Sequence, residues 1–258
     1  MSEIIGTTKN KTYKYIKSLL HKKSRTELLR FTVEGIKSVS DALRAGADTE
    51  LIAMSESFYE SGAVTCPDGV CVVIVRDELF GGLCDTKTPQ GVLAVIKVKK
   101  PEQYTCDPDK LYIYCDGVSD PGNLGTIIRT ADAAGFDGVL MSGDCAELYS
   151  PKTVRASMGS FFNIDTVPGF TRENLAGQKE KGFALYCGAL LADSRDYRMP
   201  DYTKPSILIV GNEANGASED ILKMSEHIII PIYGKAESLN AAVAASIMMY
   251  EMRGQRNG

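Results

Sequence analysis

Five short stretches in the second half of the chain, residues 111–115, 138–141, 184–190, 206–210 and 228–232, are apolar at successive positions rather than at alternate ones. Strands of that kind must be covered on both faces, and the helix-length segments between them supply the cover. Residues beyond 104 are therefore expected to form an α/β domain built on a mostly parallel sheet. In such sheets ligands collect beyond the carboxyl ends of the strands, which directs attention to the loops after Cys115, Val210 and Ile232. The first half is less regular. It suggests a basic amphipathic helix over 14–29 with Tyr15, Leu19 and Leu20 inward, a strand at 31–33, a helix over 35–45 ending near Gly46, and strands at 70–75 and 91–98. Residues 97–110 combine charge with two prolines and no hydrophobic period. They are taken as a linker between a smaller α/β domain, residues 1–104, and the larger domain, residues 105–258.

Hydrophobic residues make up 44% and charged residues 24% of the chain, the balance of a globular protein with a sizeable core. No run of about eighteen apolar residues occurs, and residues 1–14 are polar and basic, so neither a membrane span nor a signal peptide is expected. The expected compartment is the cytoplasm. Seven cysteines are scattered without a C-x-x-C pair, and His21 and His227 are the two histidines. That pattern suits reduced, mostly buried thiols and offers no metal-ligand spacing, so no metal is expected. The net charge of −4 hides an asymmetry: residues 1–37 hold nine bases against three acids, a local +6 that leaves −10 for the remainder. A basic leading segment on an acidic protein is the footprint of nucleic-acid contact or, more simply, a solvated helix face. If the segment is a nucleic-acid arm, charge reversal at Lys22 and Lys23 weakens binding and its salt dependence.

The loop after Cys115 reads DGVSDPGNLGT (116–126) and leads into IIRTADAAG (127–135). Neither G-x-G-x-x-G nor G-x-x-x-x-G-K-[ST] is present, which disfavours a standard dinucleotide site or a P-loop. A flavodoxin-like or dehydrogenase enzyme is accordingly the weaker alternative. On a helical wheel Leu124, Ile127, Ile128, Ala131 and Ala134 share one arc, and Arg129 points away from it. An arginine there is either a plain surface residue or a ligand group. The preceding Asp120-Pro121-Gly122 turn offers Asn123 as N-cap, with free N–H groups suited to an anion. The final segment, 238–252 (SLNAAVAASIMMYEM), is small and apolar around almost its whole circumference, so burial on several sides, and with it a homodimer, is expected.

Three segments, 123–135 (NLGTIIRTADAAG), 209–216 (IVGNEANG) and 230–245 (IPIYGKAESLNAAVAA), supported by 150–160 (SPKTVRASMGS), together resemble the SpoU or TrmH-like RNA ribose 2'-O-methyltransferases of the SPOUT class. Residues 31–43 (FTVEGIKSVSDAL) look like part of the RNA substrate-binding domain that precedes the methylase in many members. The resemblance implies a C-terminal trefoil knot, S-adenosylmethionine held by the knot loops with Gly211, Ile230 and Leu239 lining its pocket, and a homodimer that completes each active site. It also places Asn123, Arg129, Glu213, Ser238 and Asn240 at catalytic positions. Ala241-Ala242 stand where a valine-serine pair is common, a difference of packing more than of chemistry.

The implied reaction is displacement at a sulfonium methyl, for which the donor already carries its own positive charge. The protein must align the attacking hydroxyl and dispose of its proton. The resemblance also implies a general-base role for Arg129, which is physically demanding because a guanidinium is held charged far above neutrality. Positioning the ribose and phosphate is its preferred role, with base activity an open second one. Glu213 is expected to accept a proton, anchor the arginine or cap a loop, and Ser238 and Asn240 to cap the last helix. Ribosomal RNA is the favoured substrate, with transfer RNA or a noncatalytic RNA-binding role as alternatives.

Overall fold

The computed structural model describes residues 4–98 and 104–257, which fall into two compact units. One comprises the residues up to 98 together with Tyr149–Phe162, the other residues 104–148 and those from 163 on. The first unit runs through β1 (Ile4–Ile5), α1 (Lys11–Ser18), α2 (Lys22–Leu28), β2 (Arg30–Glu34), α3 (Ile36–Arg44), β3 (Thr49–Ser55), α4 (Glu56–Ser61), β4 (Cys71–Val75), α5 (Asp77–Phe80) and β5 (Val92–Lys97). Its strands lie in the order β1-β4-β3-β5-β2, with β5 antiparallel to both neighbours. The central strand β3 is not singled out by the sequence pattern, because Thr49 and Glu50 precede its four apolar residues.

The helix expected over 14–29 is two helices. Tyr13, Ile16 and Leu19, spaced by three, form the buried stripe of α1 and the turn beyond it. His21 then adopts an extended backbone. Arg25 is buried and closes the turn, its Nη1 donating to the Leu19 carbonyl at 2.7 Å. Tyr15, expected inside, sits at the margin, where its hydroxyl donates to Glu50 at 2.7 Å.

In the second unit β6 (Tyr112–Asp116), α6 (Pro121–Ala133) and β7 (Gly138–Met141) come first. The chain then gives α7 (Pro151–Ala156) to the first unit, where it packs on β2. It resumes with β8 (Asp165–Pro168), α8 (Arg172–Glu180), β9 (Ala184–Gly188), β10 (Arg195–Asp196), β11 (Ser206–Gly211), α9 (Glu219–Met224), β12 (Glu226–Ile229) and α10 (Ala241–Asn257). Every pairing in the seven-stranded sheet, β10-β12-β9-β11-β6-β7-β8, is parallel. Alternate residues divide the strands between two layers. Tyr112, Tyr114, Leu185, Ile207 and Ile209 share a core with Leu175 of α8 and Ile221 of α9. α10 packs on α6 and β11.

The strand expected at 228–232 ends at Ile229, since Pro231 has no N–H for a ladder. Of the proposed linker, residues 99–103 lie outside the described residues. Residues 104–110 are anchored: Cys106 is in the core and the Tyr104 hydroxyl donates to Asp165 at 3.0 Å. The last helix is not buried all round. Ala242, Ala245, Met248, Met249 and Met252 are covered, whereas Val243 and Tyr250 are 47% and 56% exposed. All seven cysteines are free, and Cys71 is exposed rather than buried.

Candidate active site

Strands β6 and β11 are neighbours, and their last residues, Asp116 and Gly211, are in register at the carboxyl edge. A Cβ on Gly211 would run into the backbone of Gly216 and Ala217, so the 212–216 turn can fold back over the strand end because residue 211 is glycine. Asn212 and Gly216 exchange backbone hydrogen bonds across that turn, each 2.9 Å. The Asn212 side chain holds the turn from within, accepting from Ala214 N and Asn215 N, and its Nδ2 donates to the Gly117 carbonyl at 2.8 Å.

Buried Asp116 closes the other side. Its carboxylate accepts from Arg172 Nε and Nη2, at 3.2 and 2.9 Å, and from Ser218 N at 2.7 Å, which joins β6 to the starts of α8 and α9. The Asp116 carboxylate raises the Arg172 pKa and keeps it firmly protonated. Asn212 and Arg172 were not singled out by sequence. The Asn in the turn motif was the available signal for the first; the contact with Arg172, 56 residues away from Asp116, left none.

The N-cap of α6 is Asp120, not Asn123: its side chain accepts from Asn123 N at 2.9 Å, and Pro121 follows in the first turn. Relieved of capping, the Asn123 amide bridges two other loops. Nδ2 donates to Glu213 Oε1 at 2.8 Å, and Oδ1 accepts from Asn240 Nδ2 at 3.0 Å. Glu213 also accepts from Ser119 N, Ser119 Oγ and Asp120 N. Partial burial acts to raise the Glu213 pKa, but these hydrogen bonds, led by that from Asn123, outweigh it and bring it down to about 2. A carboxyl so acidic is a poor proton acceptor near neutrality. Glu213 is a clamp on the start of α6. Asn240 does cap α10, accepting from Ala242 N and Val243 N at 2.9 and 3.3 Å. Ser238 is exposed and makes no side-chain hydrogen bond among the described residues.

The predicted residues thus separate into groups. Asn123, Glu213 and Asn240 are in direct contact. Arg129 is exposed on α6, opposite the buried Leu124, Ile127, Ile128 and Ala131, and has no ion pair or side-chain hydrogen bond among the described residues. It stands about 9 Å along the helix axis from Asn123. Residues 230–239, with half-buried Ile230 at one end and Leu239 at the other, form neither helix nor strand. Among the described residues their backbone groups make no backbone hydrogen bonds, which leaves donors and acceptors able to hold a polar cofactor. No three His, Cys, Asp or Glu side chains among the described residues assemble a metal site.

Residues 110–250 match the SpoU rRNA Methylase family, and residues 10–94 match an MRM3-like substrate binding domain. The 23S rRNA (guanosine(2553)-2'-O)-methyltransferase RlmP of Bacillus subtilis is 36% identical over 97% of this chain and 99% of its own length. An AdoMet bound rRNA methyltransferase from Sinorhizobium meliloti has a similar fold, with a TM-score of 0.88 and 34% identity over 98% of both chains. The SpoU methyltransferase AviRb from Streptomyces viridochromogenes, in complex with the cofactor AdoMet, aligns with a TM-score of 0.82 and 28% identity over 96% of this chain and 99% of its own.

Proposed function

The chain belongs to the SpoU rRNA methylase family, and we propose that it methylates a ribose 2'-hydroxyl of ribosomal RNA in the cytoplasm, using S-adenosylmethionine. Ribosomal RNA is preferred to transfer RNA because the similarity to an rRNA enzyme extends through the first unit as well as the second. The first unit, residues up to 100 joined by 149–162, is assigned to RNA binding, and the second to methyl transfer.

The observation that carries this reading is the joining of three strand-end loops by Asn123, Glu213 and Asn240, Asn123 lying on the helix that presents Arg129, which is unpaired among the described residues. The residues fit the cofactor: the free backbone of 230–239 supplies polar partners, Ile230 and Leu239 supply apolar ones, and the turn beyond Gly211 would border the pocket. When bound, S-adenosylmethionine supplies an electrophilic methyl group on a positively charged sulfur. Arg129 binds the RNA phosphate and orients the ribose hydroxyl, its planar fork of donors suiting a phosphate. Glu213 and Asn240 hold Asn123 and the first turn of α6 in place.

A trefoil knot over the segment 206–240 belongs to this reading. In its favour, the chain leaves β11, passes to β12 on the far side of β9, and returns for Asn240 to meet Asn123. A homodimer is proposed to cover the exposed Val243 and Tyr250 of α10 and to complete the surroundings of Arg129. Arg129→Ala is expected to abolish transfer of labelled methyl to ribosomal RNA while S-adenosylmethionine binding, by calorimetry, and dimer mass persist. Full activity in that variant removes Arg129 from the mechanism. Failure of the wild-type protein to bind the cofactor would instead favour the noncatalytic role.

A further inference from the structure

Lys11, Lys14 and Lys17 are exposed along α1, in three-residue steps beside the buried stripe of Tyr13 and Ile16. None of their side chains forms an ion pair or hydrogen bond among the described residues. The first turn of α1 has no acidic residue. Lys11 there faces the positive end of the helix dipole, an unfavourable arrangement that helix stability does not explain. Of the other bases in the leading segment, Lys9, Lys22 and Lys37 are also exposed but lie outside α1, and three have partners. Arg25 is buried on the Leu19 carbonyl, Arg30 pairs with Glu50, and Lys23 lies 3.9 Å from Glu27. Three of the exposed, unpartnered lysines are therefore gathered on one helix, which the residue count alone does not reveal.

We propose that α1 is a rail for one strand of the RNA backbone, with Lys11, Lys14 and Lys17 each pairing with one phosphate. Successive lysines on such a row are about 5–6 Å apart at Cβ, comparable with the step between phosphates, and their flexible stems absorb the mismatch. The rail sets position and affinity but carries no base specificity. This inference rests on the RNA-methylating function proposed above.

The test is fluorescence anisotropy of a labelled mixed-sequence RNA of about 20 nucleotides across about 50–200 mM KCl, with each phosphate contact worth about 0.7–0.9 in the slope of log affinity against log salt. K14Q/K17Q is expected to reduce that slope by about 1.5 and K11Q/K14Q/K17Q by about 2–2.5. The matched double variant K22Q/K23Q should reduce it by less than half as much as K14Q/K17Q. Equal reductions in the two double variants would show an undirected charge effect and overturn the rail, as would an unchanged slope in the triple variant. Thermal midpoints verify folding; should the triple variant unfold, the two double variants decide. Methyl transfer by the wild type to ribosomal RNA is measured alongside. Transfer without a change of slope in the variants overturns the rail alone, whereas absence of both transfer and RNA binding overturns the functional reading together with it.

Discussion

Glu213 shows how a residue's neighbours choose its chemistry. Four donors from Ser119, Asp120 and Asn123 converge on one carboxylate and bring its pKa to about 2. A depressed pKa contributes stability above the unfolded-state value and loses it as pH falls through the folded-state value, so this contribution is intact at neutral pH and fades between about 4.5 and about 2. Glu213→Gln, which removes the charge and one good acceptor, is expected to cost about 1–2 kcal/mol in urea unfolding at pH 7. It should also lower methyl transfer by loosening Asn123; unchanged stability and activity would deny the clamp. The apolar arc of α6 and the outward direction of Arg129 were legible in sequence because both follow from helical period. The role of Asn123 was not. Asp and Asn are both good N-caps, and what distinguishes them here is Pro121, whose preference for the first helical turn places the cap at Asp120.

At the scale of elements, α9 and β12 are pinned together by His227. Its Nε2 lies 2.9 Å from the Leu222 carbonyl and its Nδ1 3.0 Å from both oxygens of Asp193, so two acceptors call for a doubly protonated ring. Partial burial opposes the charge, but the Leu222 carbonyl and then Asp193 outweigh it and raise the pKa above 6.5. Stabilisation by a raised pKa is fully present below the unfolded value and disappears as pH rises through the folded one. Unfolding midpoints of the wild type are therefore expected to fall, relative to His227→Gln, from about pH 6.5 upward. Parallel profiles for the two proteins would exclude the pin. Fully apolar strands such as β7 were legible to the residue, because burial on both faces leaves no polar position in the pattern. The division of the basic leading helix was not, since its cause is a long-range one: Leu19 enters the core and Arg25 reaches back to it.

For the molecule as a whole, the apolar composition of α10 anticipated more burial than one chain provides, and the proposed dimer accounts for the remainder. Tyr250→Arg, which puts charge on the half-exposed face, is expected to shift sedimentation from dimer to monomer; a dimer of unchanged strength would assign that face elsewhere. The sheet was foreseeable as a class, but its strand order was not, because pairing partners are set by chain crossings that local composition does not record. Nor did sequence position assign Tyr149–Phe162 to the first unit, where Tyr149 and Phe161 bring their rings within 5.1 and 5.5 Å of Phe31. A fragment stopped at residue 104 would therefore bare Phe31 to water, while the complementary fragment would carry its cover away. The two halves of this protein cannot be parted by a single scission and exchanged as cassettes; any viable graft must move the distant patch along with the piece it shelters.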